Sequence, residues 1–424
     1  MCLTLVRGLE DTKDTIPVFL AVLTGAFAFY FAALLMIRGA ASRLHPAWVI
    51  GIAVLIQMAP FRGQPVWDTD AYRYHWDGKL LAEGVNPYRF APGDHRIAHL
   101  RGEWWQPIDY KWVKTIYPPV NQLLLAGTYF LDPTPRRTLL LAMLFHLLCL
   151  WPLLLLMRLR GVDSKWLAIY AWNPLLATEF AIGGHQDPIS VFLLLAALYG
   201  IEKRRPMRAS ALMALSVMAK THMVFVAPLV VWRTGPQGVL LFIALCIALT
   251  APFAGAGSDL LSGSAAYLGQ WENNSGLFAV LRAGLTALLD DADAGGVAAR
   301  GICAVTIIAL AVWLTFRRGD IALHAAIILA CVLLLSPTFF PWYISWVLPF
   351  VCLLPNVTGV IATFLLLAPY LYIYDKPLGF LVRIPEIGLL YLCAAVELQL
   401  WRRRIAAAGR RRATSSCEDT PSEQ

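Results

Sequence analysis

Charge is scarce in this chain. Only 15% of its 424 residues are Asp, Glu, Lys or Arg, against roughly 25% in an ordinary soluble domain, which excludes a water-soluble globular protein. Its eight cysteines include no Cys-x-x-Cys pair. Six of them (Cys149, Cys246, Cys303, Cys331, Cys352 and Cys393) lie inside apolar runs, so they read as small packing side chains rather than as a metal or dithiol site. The weak alternating segments of a membrane barrel are missing. So are internal repeats and any polar stretch large enough to fold alone. No cleavable leader is expected, because the first apolar run follows a mixed-charge start without a small-residue cleavage site.

Apolar length is what the chain has instead. Its mean hydropathy is +0.61, and apolar runs recur from Ile16 to Trp401. Helices and closed barrels alone satisfy the backbone inside lipid. Solid runs such as TLLLAMLFHLLCLWPLLLLM therefore predict an all-α, polytopic transmembrane helical bundle of about 11–13 spans, each crossing a core that takes about 20 helical residues. The expected spans are 16–37, 47–61, 138–157, 166–180, 189–201, 209–232, 239–253, 298–316, 321–335, 342–355, 359–374 and 385–401. Residues 1–401 read as one transmembrane domain and 402–424 as a basic, then disordered, tail.

The net charge of +8 suggests nucleic acid until it is located. Six arginines fall between Arg402 and Arg412, directly after the last apolar run, which marks a cytoplasmic C-terminus by the positive-inside rule. Walking back from that end places the 62–118 loop, GGHQDP at 183–188, the 267–278 stretch, SPTFFPWY at 336–343 and 374–385 on the opposite, extracytoplasmic face. Two segments resist this pattern. The run 119–131 is too short to span and reads as an extracytoplasmic or half-inserted helix. In 209–232, Lys220 and His222 fall mid-run, which fits two half-helices meeting there beside a watery cavity.

Almost every unusual polar group thus collects on one face. The richest segment is WDTDAYRYHWDGKLLAEGVNPYRF, Trp67 to Phe90. Nucleotide sugars and ATP are cytoplasmic, so chemistry on the far face needs a substrate energised elsewhere, and a lipid-linked phosphate is the candidate. Glycosyl transfer needs a base for the acceptor hydroxyl, a role open to Asp70 or Asp68. In a helix Asp70, Arg73 and Asp77 share a face, with Arg73 placed to hold a carboxylate. Tyr74, Tyr88 and neighbouring rings suit both sugar stacking and an interfacial belt. Asn86-Pro87-Tyr88 and Tyr117-Pro118-Pro119 are turn or helix-start signals that bring tyrosine hydroxyls near the site.

A second cluster joins Glu179 to His185 and Asp187, residues for binding hydroxyls or a phosphate; two ligands at that spacing make no metal motif. A departing lipid phosphate needs cations aimed at it, for which Lys220, His222, Arg73, Lys114 and Arg383 are candidates. Lys220 leads, because a lysine in mid-apolar sequence is expensive unless paired or functional. His146 and His324 read as helix-packing groups. Trp342 and Tyr343, in a twice-broken aromatic stretch, fit a lid over a groove and an interfacial anchor equally.

DTDAYRYHWDGKLLAEGVNPY, IYPPVNQLLL, WNPLLATEFAIGGHQDP and SPTFFPWYISWVLPF together resemble the ordered landmarks of bacterial polytopic glycosyltransferases of the GT-C superfamily, in the branch that uses polyprenyl-phosphate-mannose. The likeness runs from about residue 60 to 355. It implies transfer of a hexose, often mannose, from a polyprenyl monophosphate, without a metal. It also implies a catalytic Asp in the first extracytoplasmic loop, which falls on Asp70, with Asp68 as the neighbour; relatives often carry an adjacent acid pair, and here Thr69 separates the two.

The resulting expectation is an inverting, metal-independent membrane hexosyltransferase in a bacterial inner membrane, with its site outside. No cofactor is expected beyond the polyprenyl-phosphate sugar that serves as donor. The partners expected are that donor, a glycan or lipid acceptor and membrane lipid, with no nucleic acid. The alternatives are a transporter or flippase of lipid-linked glycan, and a glycan polymerase or ligase using a pyrophosphate-linked donor.

Overall fold

The computed structural model describes residues 2–9, 12–39, 44–375, 388, 389 and 392. Arg383, most of the expected span 385–401 and the basic tail lie outside the described residues. Every regular element among the described residues is helical, and the one β pairing is an isolated bridge between Asn273 and Thr338. Among the described residues, eleven helices reach 13 residues or more. They are α1 (Ile16–Gly39), α2 (Pro46–Met58), α3 (Asp70–Ala82), α4 (Pro119–Leu131), α5 (Arg136–Leu159), α6 (Asp187–Glu202), α7 (Pro206–Ala219), α8 (Gly235–Thr250), α9 (Gly276–Leu289), α10 (Ala292–Phe316) and α11 (Ile321–Leu335).

The helical runs Lys13–Gly39, Arg136–Leu159, Ala227–Gln270 and Ala292–Phe316 are long and apolar enough to cross a bilayer, and among the described residues seven shorter apolar helices accompany them. Phe29 and Met36 on α1, Leu240 on α8 and Val297 on α10 stay open, as lipid-facing side chains do. A buried core that includes Tyr170, Phe180 and Trp346 fills the interior. At one end of the bundle Arg160 joins Glu202 and Asp320, so that α5, α6 and the start of α11 share one ionic tie.

Four expected spans are not continuous helices, one of them 359–374, which divides into Val357–Leu365 and Pro369–Tyr374. The stretch 166–180 breaks into Ser164–Leu167, Ala168–Ala171, Pro174–Thr178 and a single π-helical turn Glu179–Gly183. The stretch 342–355 starts as a 3-10 segment, Pro341–Trp346. The run 209–232 breaks at Lys220, which is extended (φ −149°, ψ 120°) between α7 and the 3-10 turn Thr221–Phe225. The break leaves α7's last carbonyls without intrahelical partners. Helix α9 falls in a stretch assigned to no span; Arg282 in its midst disguises it, and that arginine pairs with Glu272.

The 62–118 loop folds around α3. Asp68 Oδ1 accepts the Asp70 N–H at 2.7 Å, and Asp70 lies in the first turn, where a negative charge favours the helix dipole. The helix ends in a Schellman motif: Val85 donates to the Leu80 carbonyl and Gly84, at φ +77°, to that of Leu81. Trp76, Leu80, Ile97 and Ile108 make a small core of the loop's own. Pro119 opens α4 at a position where a missing N–H costs nothing.

α3 and α4 touch backbone to backbone at Gly78, where an added Cβ would lie 2.5 Å from the Leu125 carbonyl oxygen. Gly78→Ala is expected to destabilise the protein by about 1–3 kcal/mol through overpacking, seen as a lower thermal midpoint in detergent. Gly127→Ala, on the same helix pair with nothing within 4 Å of its Cβ, serves as the neutral comparison.

Candidate active site

A cavity of about 630 Å³ lies where the 62–118 loop meets the π turn, the Lys220 break and the 336–346 segment. Its acidic floor is built by local geometry. Val66 N–H donates to the Ile182 carbonyl at 3.1 Å, which ties the start of the loop to the π turn. Trp67 then takes φ +56°, a left-handed conformation that costs a bulky residue about 1–3 kcal/mol. Its indole N–H bonds the Thr12 carbonyl and its ring packs on Phe19 at 4.4 Å. The turn swings Asp68 and Asp70 toward the π turn.

There His185 waits, fully buried. Its Nε2 is 3.6 Å from Asp68 and 3.1 Å from Glu179, and its Nδ1 is 3.7 Å from Asp70. Its ring stacks on Trp342 at 3.4 Å and 8°. Glu179 in turn accepts the Tyr370 hydroxyl. Gly183 is required here, since a Cβ would sit 2.6 Å from His185 Nε2.

Burial pushes the Asp68 carboxyl up to about 7, and the Asp70 charge adds to that. Burial acts upward on Asp70 too, but the nearby protonated His185, with Lys220 and the Tyr74 hydroxyl, outweighs it and holds Asp70 below the usual carboxylate range. Burial opposes charge on His185, yet Asp68, Asp70 and Glu179 raise it to about 10. Water in the cavity reaches 25% of the Asp68 side chain and 39% of Asp70, which softens the burial effect on both. Asp70 remains the more acidic because both His185 and Lys220 act on it.

Asp68, Asp70 and His185 each offer a donor atom within 4.8 Å of the others. The imidazole, however, turns opposite nitrogens to the two aspartates. The closest approaches to the two acids come from opposite ring nitrogens, Nε2 toward Asp68 and Nδ1 toward Asp70, as in a protonated ring set between carboxylates.

Across the cavity, Lys220 is clamped. Its Nζ donates to Asp187 Oδ2 at 3.0 Å, and the Trp346 indole N–H donates to Asp187 Oδ1 at 2.7 Å. The ammonium also lies 5.2 Å from the Tyr343 ring centre. Its remaining N–H groups are available to a ligand. Asp77, 1% exposed, accepts from Arg73 at 2.9 Å and from Thr115 at 2.5 Å, which fixes the guanidinium at the cavity wall.

Of the residues singled out in the sequence, Asp68, Asp70, Arg73, Tyr117, Glu179, Lys220, Trp342 and Tyr343 line the cavity. Tyr74, Asp77, His185 and Asp187 stand directly behind them, each in contact with a lining residue. His222 packs on Trp346 at 4.7 Å and on Tyr343 at 5.8 Å, behind the lining. Asn86 and Tyr88 are fasteners: Asn86 Nδ2 donates to the Phe253 carbonyl and the Tyr88 hydroxyl to that of Tyr117. Lys114 lines the cavity but pairs with Asp259 at 2.6 Å. Trp342 and Tyr343, read as lid or interfacial anchor, are instead a buried wall, 9% and 4% exposed. Tyr370 and Trp346 also hold the site together, and their only signal in the sequence is a hydroxyl or an indole N–H in an apolar run. Tyr110, Trp271 and Glu272 also line the cavity.

Acids and cations gathered at one end of an apolar bundle, against aromatic walls, are what glycosyl transfer beside a membrane requires. The fold among the described residues is that of a polytopic helical membrane protein. The chain belongs to the family described as Alpha-(1->6)-mannopyranosyltransferase, N-terminal domain, which matches residues 4–235, and residues 272–403 match the MptB C-terminal domain. It is 24% identical over 353 residues to Alpha-(1->6)-mannopyranosyltransferase A of Mycobacterium tuberculosis, covering 74% of this chain and 67% of that one. A shorter match to GPI mannosyltransferase 1 of Gibberella zeae is 31% identical over 90 residues, covering 20% of this chain and 21% of the relative. The crystal structure of ArnT from Cupriavidus metallidurans bound to undecaprenyl phosphate aligns over 82% of this chain and 77% of its own, with 13% identity and a TM-score of 0.46.

Proposed function

We propose that the protein transfers a mannosyl unit from a polyprenyl monophosphate to a hydroxyl of an extracytoplasmic acceptor, in one inverting displacement and without a metal. The observation that carries this reading is that Asp70, held ionised, and Lys220, held by Asp187, line one cavity. Asp70 takes the proton of the acceptor hydroxyl as that oxygen bonds to the anomeric carbon. The bond from that carbon to the phosphate oxygen breaks, and the electron pair leaves with the phosphate. Lys220 and Arg73 meet the growing negative charge. Asp68 holds the Asp70 amide and so sets the base at its helix start. Glu179 orients His185 from within the floor. Tyr117, Trp342 and Tyr343 offer ring faces to the sugars, as do Tyr110 and Trp271.

A lipid-linked donor suits a site on the face opposite the basic loops, where nucleotide sugars are absent. The basic segments Arg158–Lys165, Glu202–Arg208 and Arg317–Arg318 support that orientation. The clustering of charge at one end also favours an enzyme over a transporter, whose ion sites sit near the bilayer midplane.

The test is purified protein in detergent with radiolabelled polyprenyl-phosphate-mannose and a membrane-lipid extract. Label is expected to move to a new product, at a rate unchanged by EDTA. Transfer only from a pyrophosphate-linked donor overturns the donor assignment. Loss of activity in EDTA, restored by added Mg²⁺ or Mn²⁺, overturns the metal-free mechanism.

A further inference from the structure

His185 is not among the residues that line the cavity, although Trp342, Asp68, Asp70 and Glu179 around it are. It is fully buried, and neither ring nitrogen has an aligned hydrogen-bond partner. What surrounds its edge is acid: Glu179 Oε2 at 3.1 Å and Asp68 Oδ2 at 3.6 Å from Nε2, and Asp70 Oδ2 at 3.7 Å from Nδ1. A neutral imidazole presents one N–H and one bare lone pair. In this setting either tautomer would point that lone pair at a carboxylate oxygen. Only the imidazolium offers an N–H to each side. One ring face lies flat on Trp342, with Phe340 stacked on that indole at 4.6 Å and 10°, and an aromatic face favours a cation.

We propose that His185 is a positioning residue, a buried imidazolium that keeps the neighbouring Asp70 carboxylate ionised and aimed into the cavity without touching either substrate. This rests on Asp70 being the base, as read above. Glu179 holds the imidazolium from behind and is itself held by the Tyr370 hydroxyl. The bare Gly183 leaves room for that pair. The other groups facing Asp70 are accounted for: the Tyr74 hydroxyl at 3.4 Å, the Asp68 side chain on the Asp70 N–H, and Lys220, whose charge Asp187 partly offsets. With two acids set side by side, one must protonate unless a cation lies between them. His185 is that cation for Asp70, and Asp68 gives up ionisation first.

The experiment compares full-length wild type with His185→Gln and His185→Lys, as pH profiles of kcat/KM with polyprenyl-phosphate-mannose. Removing the charge raises the pKa of Asp70, so the acidic limb of the His185→Gln profile is expected to move to higher pH by about 1–3 units, the range over which an adjacent opposite charge shifts a carboxylate. Rate is regained above the new limb, donor KM stays within about twofold, and His185→Lys keeps the wild-type limb. A His185→Gln limb that does not move overturns the proposal. So does a large rise in donor or acceptor KM, which would mark a substrate contact.

A second measurement needs neither a folded variant nor activity. Wild-type protein carrying ¹⁵N-labelled histidine is read by NMR at pH 8. One of the eight histidines is expected to show two protonated ring nitrogens, and eight neutral rings overturn the proposal. If wild type fails to transfer mannose while this signature is present, the base assignment has failed and the buried cation stands.

Discussion

Asp70→Asn is expected to lower the transfer rate by about 10²- to 10⁴-fold, the span that a positioned general base contributes, with donor affinity within about twofold of wild type. Asparagine keeps the shape and leaves a hydrogen-bonding oxygen at the helix start, but it cannot accept the acceptor's proton. Asp68→Asn gives the informative contrast. Its Oδ1 holds the Asp70 N–H at 2.7 Å, a bond the Asn oxygen reproduces, so its loss of rate is expected to be much smaller. The check is steady-state transfer of labelled mannose by both variants, with size-exclusion profiles to show that each is folded. If Asp68→Asn proves the more damaging, the base is Asp68. The pH dependence carries the same sign. Activity needs ionised Asp70, whose pKa is held down, so wild type is expected to keep its rate into mildly acidic solution and to lose it only as pH falls through that depressed value.

Lys220→Met removes the ammonium from the cavity wall, and two separable losses follow. The transition-state charge on the departing phosphate loses a preorganised donor, a loss of about 10²- to 10³-fold in rate by comparison with oxyanion-hole deletions. Asp187, 0% exposed, is also left buried without its cation, which costs about 3–5 kcal/mol when one member of a buried pair is deleted. The double variant Asp187→Asn/Lys220→Met distinguishes the two. An Asn at 187 still accepts the Trp346 N–H and carries no charge. Its thermal midpoint is expected to return most of the way to wild type while transfer stays as low as in Lys220→Met. Recovery of activity together with stability would make Lys220 a structural residue only.

Much of this site was legible before any fold was known. The i, i+4 spacing of Arg73 and Asp77 announced an ion pair, and it forms at 2.9 Å. Lys220 was suspect because a lone ammonium in an apolar run is costly, and the helix does break there. His146 and His324, lone histidines in apolar runs, pack against Gln57 and the Leu314 carbonyl. Other residues were misjudged for a physical reason. The sequence shows that Trp342 and Tyr343 are aromatic between two prolines, which fits a wall, a lid or an anchor equally well. Only the stacking on His185 and the hydroxyl contact of Tyr343 with Tyr267 decide between them.

By itself the sequence determined the class of this protein. Low charge and long apolar runs leave a chain no choice but helices in lipid, since backbone groups there must be satisfied within each segment. Local chemistry likewise determined where acids begin a helix and where prolines end one. What only the tertiary structure decided is which distant groups share one space. Asp70 and His185 are separated by 115 positions, and Asp187 and Trp346 by 159. Neither spacing nor composition encodes those meetings, because they depend on how broken helices pack against one another. The charge states of the site follow from those meetings, through the low dielectric in which the groups are brought together.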